Sequence, residues 1–410
     1  MYEGIGIMHK IKIKKQNIPI LLCCIGIFLF PSILRGQLLG SMGQVNVIAC
    51  FAWFYGAAHK ILVLPGRSKK SFGSLVFAAC YLVGASFLLF YVKGNDWSAI
   101  RRTLLLFMYV FPAFFICSTI DGKLAETYSR IWLDILRVIC ITMCIFWAFD
   151  RLTSNLVQKL WVNLYESNTL LFLLKSGRFV SYYGHPLENS SVFLMLLVWT
   201  TISKDELTSK KRLYILDTTI AMFGLAICGS KSGILLAIMV LLLCNVGLKK
   251  MKYMIAILIA SLALYLSGAF DMVISRILSG LAAGDLSTGR NTALKYLVLN
   301  GTVRFDWLKG HELQYDNPVL IAALEYPFLL WAFTGGIVFT IVQYLMYFVK
   351  PGIQVLKSKR WSCLICLLAL MAFYNSNNGI ASFNDDLLIY SINAWLICQI
   401  TAKKRRKERK

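Results

Sequence analysis

Ionisable side chains are scarce in this chain, and that makes their positions informative. Of the four histidines, His185 and His311 stand in the two longest polar interruptions of an otherwise apolar sequence, whereas His9 and His59 sit in short basic segments. Arg178, Lys231 and Arg290 come from three separate polar segments. Arginine offers planar paired donors that match a phosphate or pyrophosphate, and lysine adds a point charge. Imidazole exchanges a proton near neutral pH, and a base placed beside a hydroxyl nucleophile removes its proton as the new bond forms. An anion clamp plus a base is therefore equipment for displacing a phosphorylated leaving group. His311 is the candidate base, following Gly310, where the backbone can approach a substrate closely. Arg178 and Arg290, assisted by Lys231, are the candidate pyrophosphate ligands. His185, Glu188 and Glu312 are secondary candidates near an acceptor. The plainer alternatives are that an Arg at a membrane surface contacts headgroups and that a loop His caps or anchors its loop. No HxxxH or DxD cluster accompanies these residues, so no metal site is expected.

The elements that would position them are read from composition and spacing. The chain has 410 residues, 58% of them hydrophobic and 15% charged. Such a chain is a polytopic membrane protein rather than a soluble domain. The formal charge of +23 does not point to nucleic acid, because the basic residues sit mainly in turns between apolar runs. All twelve cysteines fall in or at the ends of those runs. Cys363 and Cys366 form a lone CxxC without the further ligands that zinc needs.

A membrane span needs about 20 apolar residues. Spans are expected near 17–35, 43–63, 72–92, 101–119, 131–149, 187–203, 212–229, 231–248, 252–270, 325–349, 361–378 and 384–402. With the N-terminus inside, 28 Lys and Arg fall on the cytoplasmic side and 14 outside, and Arg137, within a span, completes the 43. That bias predicts both termini inside. The fold expected is all-α and polytopic, with about twelve transmembrane helices and two long outer loops. Its parts are N-terminal spans one to five over 1–149, a first outer loop at 150–186 and spans six to nine over 187–270. A second outer loop at 271–324, spans ten to twelve over 325–402 and a basic cytoplasmic tail at 403–410 follow. Leu156, Val157, Leu160, Trp161 and Leu164 recur at helical spacing and predict an amphipathic helix on the outer leaflet. Gly229-Ser230-Lys231-Ser232-Gly233 predicts a tight turn that starts a helix. Asp134 and Arg137, three apart, predict an ion pair within one helix.

The order Gly177-Arg178-Phe179, Gly184-His185-Pro186-Leu187-Glu188-Asn189, Gly229-Ser230-Lys231-Ser232-Gly233, Thr288-Gly289-Arg290, Gly310-His311, Asn317 and Gly335-Gly336 resembles the O-antigen polymerase and ligase superfamily. The resemblance covers roughly residues 150–345. Where the family usually carries Arg after Ser, this chain has Lys231, which keeps the charge and loses the paired donors. The resemblance implies an integral-membrane glycosyltransferase of GT-C-like architecture in the bacterial cytoplasmic membrane. Its donor would be a glycan on undecaprenyl pyrophosphate, and it would need no cofactor. Implied partners are membrane lipids, a flippase and a chain-length regulator. The acceptor would be another lipid-linked unit in a polymerase, or a lipid A core in a ligase. A flippase or other transporter is the rival from a different class.

Overall fold

The computed structural model describes residues 14–40, 43, 46–49, 51–52, 120, 122–207, 211–245, 271–285, 289–301, 304–308, 310–311, 318–376, 378–381 and 385–407. Among them the chain is helical and without strands; one isolated bridge pairs Ser181 with Gly184. In chain order the helices are α1 (Ile18–Cys24), α2 (Ser32–Leu39), α3 (Gly122–Leu152), α4 (Leu156–Leu164), α5 (Asn168–Lys175) and α6 (Pro186–Glu206). Then come α7 (Lys211–Ile227), α8 (Lys231–Asn245), α9 (Asp271–Ala282), α10 (Arg290–Leu299) and α11 (Pro318–Ala323). The last are α12 (Pro327–Tyr344), α13 (Lys350–Leu356), α14 (Trp361–Asn375) and α15 (Asp386–Lys407).

Among the described residues two stretches are long and apolar enough to cross a membrane, α3, with 31 residues, and Pro327–Leu356, with 30 residues, and the bent pair Lys15–Leu29 and Ser32–Leu39 makes a third if it is one span. Shorter apolar helices cover Leu213–Ile227, Lys231–Asn245, Trp361–Asn375 and Asp386–Ala402. These features are those of a helical membrane protein. The spans expected at 72–92, 101–119 and 252–270, and most of 43–63, lie outside the described residues.

The centre of the bundle is α6. The expected span at 187–203 is short and polar at its start, yet every residue from Asn189 to Ser203 is buried. A helix that is buried all round needs no apolar stripe. Its hydroxyls turn back on their own helix, as in Ser190 Oγ to the Pro186 carbonyl (2.8 Å) and Thr201 Oγ1 to that of Leu197 (2.8 Å). Around α6 pack α3, α7, α8 and α14. Asn393 of α15 ties three helices together, its Oδ1 accepting from the indoles of Trp132 (3.1 Å) and Trp199 (2.6 Å). Emptying the Trp199 site by substitution with Ala would cost about 3–5 kcal/mol.

Among the described residues two helices depart from straight spans where they meet the long loops. The expected span at 17–35 is instead a π turn over Ile25–Leu29 followed by a 74° bend into α2. Pro31 is the cause, having no N–H to continue the ladder and forcing the residue before it out of the helical region. The bend frees the carbonyls of Phe28 and Leu29. Tyr183 donates to the first (3.3 Å) and Tyr182 to the second, both from the 150–186 loop. Within α12, Gly336 adopts φ +85° and ψ 167°. There the 304–311 segment supplies the missing partners: the N–H groups of Ile337 and Val338 donate to the carbonyls of Asp306 and Trp307 (both 3.0 Å), and the His311 N–H donates to that of Phe333 (2.7 Å).

The 150–186 loop has its own small core of Val162, Tyr165, Leu170, Leu173 and Val180. The amphipathic helix read from the sequence is α4, with Leu156, Leu160 and Leu164 about half exposed along one side. Its N-terminus is capped from a distance: the buried Asp150 carboxylate accepts from the Val157 (2.7 Å) and Gln158 (3.1 Å) amides.

Candidate functional site

Each candidate residue is placed by a helix end or a loop clamp. His185 is the N-cap of α6, its Nδ1 accepting from the Leu187 N–H at 3.2 Å, with Pro186 at the first helical position. His185 thus caps a helix in the fold. Glu188, in the first turn of α6, lines a small enclosed space of about 20 Å³ with Ser191, Tyr374, Gly379 and Asp386. Glu312 lies outside the described residues, as does Thr288.

Arg178 is buried and donates from Nε to the Cys228 carbonyl at 3.2 Å. That carbonyl belongs to the turn entering α8. Ser230 caps α8, its Oγ accepting from the Gly233 N–H at 3.1 Å, so the expected turn-and-helix at Gly229–Gly233 is present. Lys231 is the first residue of α8. It lines an open cleft of about 700 Å³ together with Ser279, Ala283, Asp285, Gly289, Thr292 and Tyr296, among others. The cleft thus lies between the start of α8 and the helices α9 and α10, and Asp285 is tied to its wall by Thr292 Oγ1 at 3.0 Å.

Arg290 opens α10 immediately after Gly289, which takes φ +91°. Its guanidinium is already matched: Nε donates to the Glu325 carboxylate, Nη1 donates to the Ser376 carbonyl at 2.8 Å, and the Tyr326 ring lies 5.8 Å away. With no ligand present the three cations contact different groups: Lys231 lines the cleft, Arg178 Nε bonds the turn that carries Lys231, and Arg290 pairs with Glu325. A partly buried guanidinium takes the nearest acceptors because desolvated charge must be compensated. Glu325 was not singled out from the sequence, because it opens the apolar run expected at 325–349. An acid at the mouth of a span, 35 residues after an Arg, was the signal available.

His311 stacks on the Phe333 ring (centroids 5.1 Å apart) and sets Nε2 3.4 Å from Asp306 Oδ2. It is not among the residues lining the cleft. Gly310 permits this seat, since a Cβ there would stand 1.9 Å from the Thr334 carbonyl oxygen.

In the first loop, burial pushes the hydroxyls of Tyr165, Tyr182 and Tyr183 above the usual tyrosine range. They stay protonated as donors, which is the form the carbonyls of Tyr182, Leu29 and Phe28 require.

Arg137 does more than the expected pairing with Asp134 (2.7 Å). It also makes a two-pronged bond to Asp217 of α7, Nε to Oδ1 and Nη2 to Oδ2, both 2.8 Å. Thr200 Oγ1 of α6 donates to the same carboxylate at 3.1 Å. A second buried pair joins Arg35 of α2 to Asp385 at the head of α15 (2.7 and 2.8 Å), with Asn46 donating to Asp385 at 3.1 Å. Neither interhelical partner was legible from local spacing.

No family model, curated protein or solved structure matches this chain.

Proposed function

We propose that the chain is an integral-membrane glycosyltransferase that polymerises undecaprenyl-pyrophosphate-linked oligosaccharide units into O-antigen, capsular or exopolysaccharide. The site would face outward from the bacterial cytoplasmic membrane. The observation that carries this reading is the cleft of about 700 Å³ between Lys231 and the helix headed by Gly289 and Arg290. One cation projects into it, a second heads its wall, and Ala283, Ala293 and Val319 give it apolar lining. That mixture suits a pyrophosphate joined to a lipid. Lys231 and Arg290 would stabilise the charge that develops on the departing pyrophosphate. Arg178 would act on it through the turn it holds, or directly after exchanging the Cys228 carbonyl for phosphate. His311 would take the proton of the acceptor hydroxyl, and attack opposite the leaving group would invert the anomeric carbon. Transfer to a lipid A core uses the same chemistry with another acceptor.

A second reading is favoured by a specific observation. Discontinuous helices and ionisable residues buried in a bundle are also how transporters build substrate sites. The 74° bend before α2, the break at Gly336 and the Arg137–Asp217 pair fit that description. Purified protein in vesicles carrying outward-facing lipid-linked units separates the two, because a transporter alone cannot lengthen a glycan. We expect polymer from the parent protein. His311→Ala should lose on the order of 10²–10⁴ in rate, the usual worth of a general base. Absence of any chain growth in vesicles that retain folded protein would overturn the polymerase reading.

A further inference from the structure

The break in α12 brings together two residues that are five apart in sequence. In an uninterrupted helix the Ile337 N–H would meet the Phe333 carbonyl. Gly336 turns the chain away with φ +85°, and the two freed groups are taken by opposite ends of one short loop. The Ile337 N–H goes to Asp306 (3.0 Å), while the Phe333 carbonyl accepts from His311 (2.7 Å). The loop is thereby pinned at residues 306 and 311. Glycine is required at both faces of the contact. A Cβ on Gly310 would meet the Thr334 carbonyl, and one on Gly336 would lie 2.9 Å from the Trp307 carbonyl oxygen.

The consequence is a His–Asp pair held by backbone. His311 lies against Phe333, which fixes the ring plane, and Nε2 then faces Asp306 Oδ2 at 3.4 Å. Nε2 is screened from solvent and makes no hydrogen bond among the described residues, so Asp306 Oδ2 is its neighbour at ion-pair distance rather than a formed hydrogen-bond acceptor. Nδ1 makes no hydrogen bond among the described residues. The separation exceeds that of a charge-assisted hydrogen bond, about 2.8 Å, and such contacts are commonly long before substrate binds. A carboxylate facing one ring nitrogen selects the tautomer with the proton on that nitrogen.

We infer that Asp306 is a positioning residue that holds neutral His311 with its proton on Nε2, leaving Nδ1 as the atom that accepts the substrate proton. The inference rests on the role of His311 proposed above. As the acceptor oxygen bonds to the anomeric carbon, its proton passes to Nδ1 and the bond from that carbon to the phosphate oxygen breaks. The pyrophosphate leaves with the electron pair. The imidazolium formed then faces the Asp306 carboxylate, which stabilises it.

The test uses the full-length protein in nanodiscs with 15N-labelled histidine. Only four histidines are present, and His311→Ala identifies the relevant signals. Two-bond 15N–1H correlation should show neutral His311 in the Nε2–H form. In Asp306→Asn the Nδ1–H form should appear, and polymerisation should slow about 10- to 100-fold with KM unchanged, less than the loss of the whole base. Asp306→Glu should restore part of the rate. A wild-type spectrum dominated by Nδ1–H would overturn the inference without reference to activity or to any variant. So would an Asp306→Asn protein with unchanged tautomer and rate. If instead His311→Ala polymerises at the parental rate, the proposed base is wrong, an outcome that the spectra cannot mimic.

Discussion

Glu325 changes what is expected of Arg290. A guanidinium that bonds a carboxylate through Nε and a backbone carbonyl through Nη1 uses its planar fork at two separate acceptors, and an ammonium cannot reproduce that. Arg290→Lys should therefore lose more than its retained charge suggests, on the order of a hundredfold in kcat/KM for polymerisation, about 2.7 kcal/mol at the transition state. Glu325→Gln removes the anion with which a phosphate must compete. If Arg290 binds donor pyrophosphate, that variant should bind lipid-linked donor several-fold more tightly. Unchanged activity in folded Arg290→Lys, together with unchanged donor affinity in Glu325→Gln, would leave Arg290 as a structural tie between α10, Glu325 and the end of α14.

At the level of elements, each long loop owes its position to a helix that fails. The bend at Pro31 leaves carbonyls for Tyr182 and Tyr183, and the break at Gly336 leaves both an N–H and a carbonyl for the 304–311 segment. Unpaired backbone groups inside an apolar bundle are costly. The loops are therefore part of the helices' hydrogen bonding rather than appendages. Gly310→Ala should accordingly loosen the second loop. Its Cβ would overlap the Thr334 carbonyl, and overpacking of this kind costs about 1–3 kcal/mol. A lowered midpoint in thermal unfolding in detergent, with polymerisation lost, is the expected result. A stable, active Gly310→Ala protein would show that the segment does not need this contact.

For the whole molecule, orientation is the property on which the proposed chemistry depends. The charge bias predicts that both long loops lie outside. Thr169 and Lys295 are exposed residues of the two loops. Thr169→Cys and Lys295→Cys, each in a cysteine-free background, should react with an impermeant maleimide in intact spheroplasts. Protection of both until lysis would invert the topology and remove the site from the side where lipid-linked glycan is polymerised.

Much of this architecture was written in local pattern. Long apolar runs cut by basic turns demand helices, because a membrane interior leaves backbone groups no other partners. Seven of the expected apolar segments fall on described helices, α4 follows from its own periodicity, and the start of α8 follows from Ser230 and the glycines around it. Tertiary structure alone decided which charges meet. Arg137 finds Asp217, Arg35 finds Asp385 across 350 residues, and Arg290 finds Glu325. Such pairings depend on how helices rotate against one another, and spacing along one helix carries no record of that. The same holds for His185 and His311, equivalent by residue type and setting. Three-dimensional structure makes one a helix cap and seats the other beside Asp306, because a loop side chain takes its role from the backbone groups that reach it.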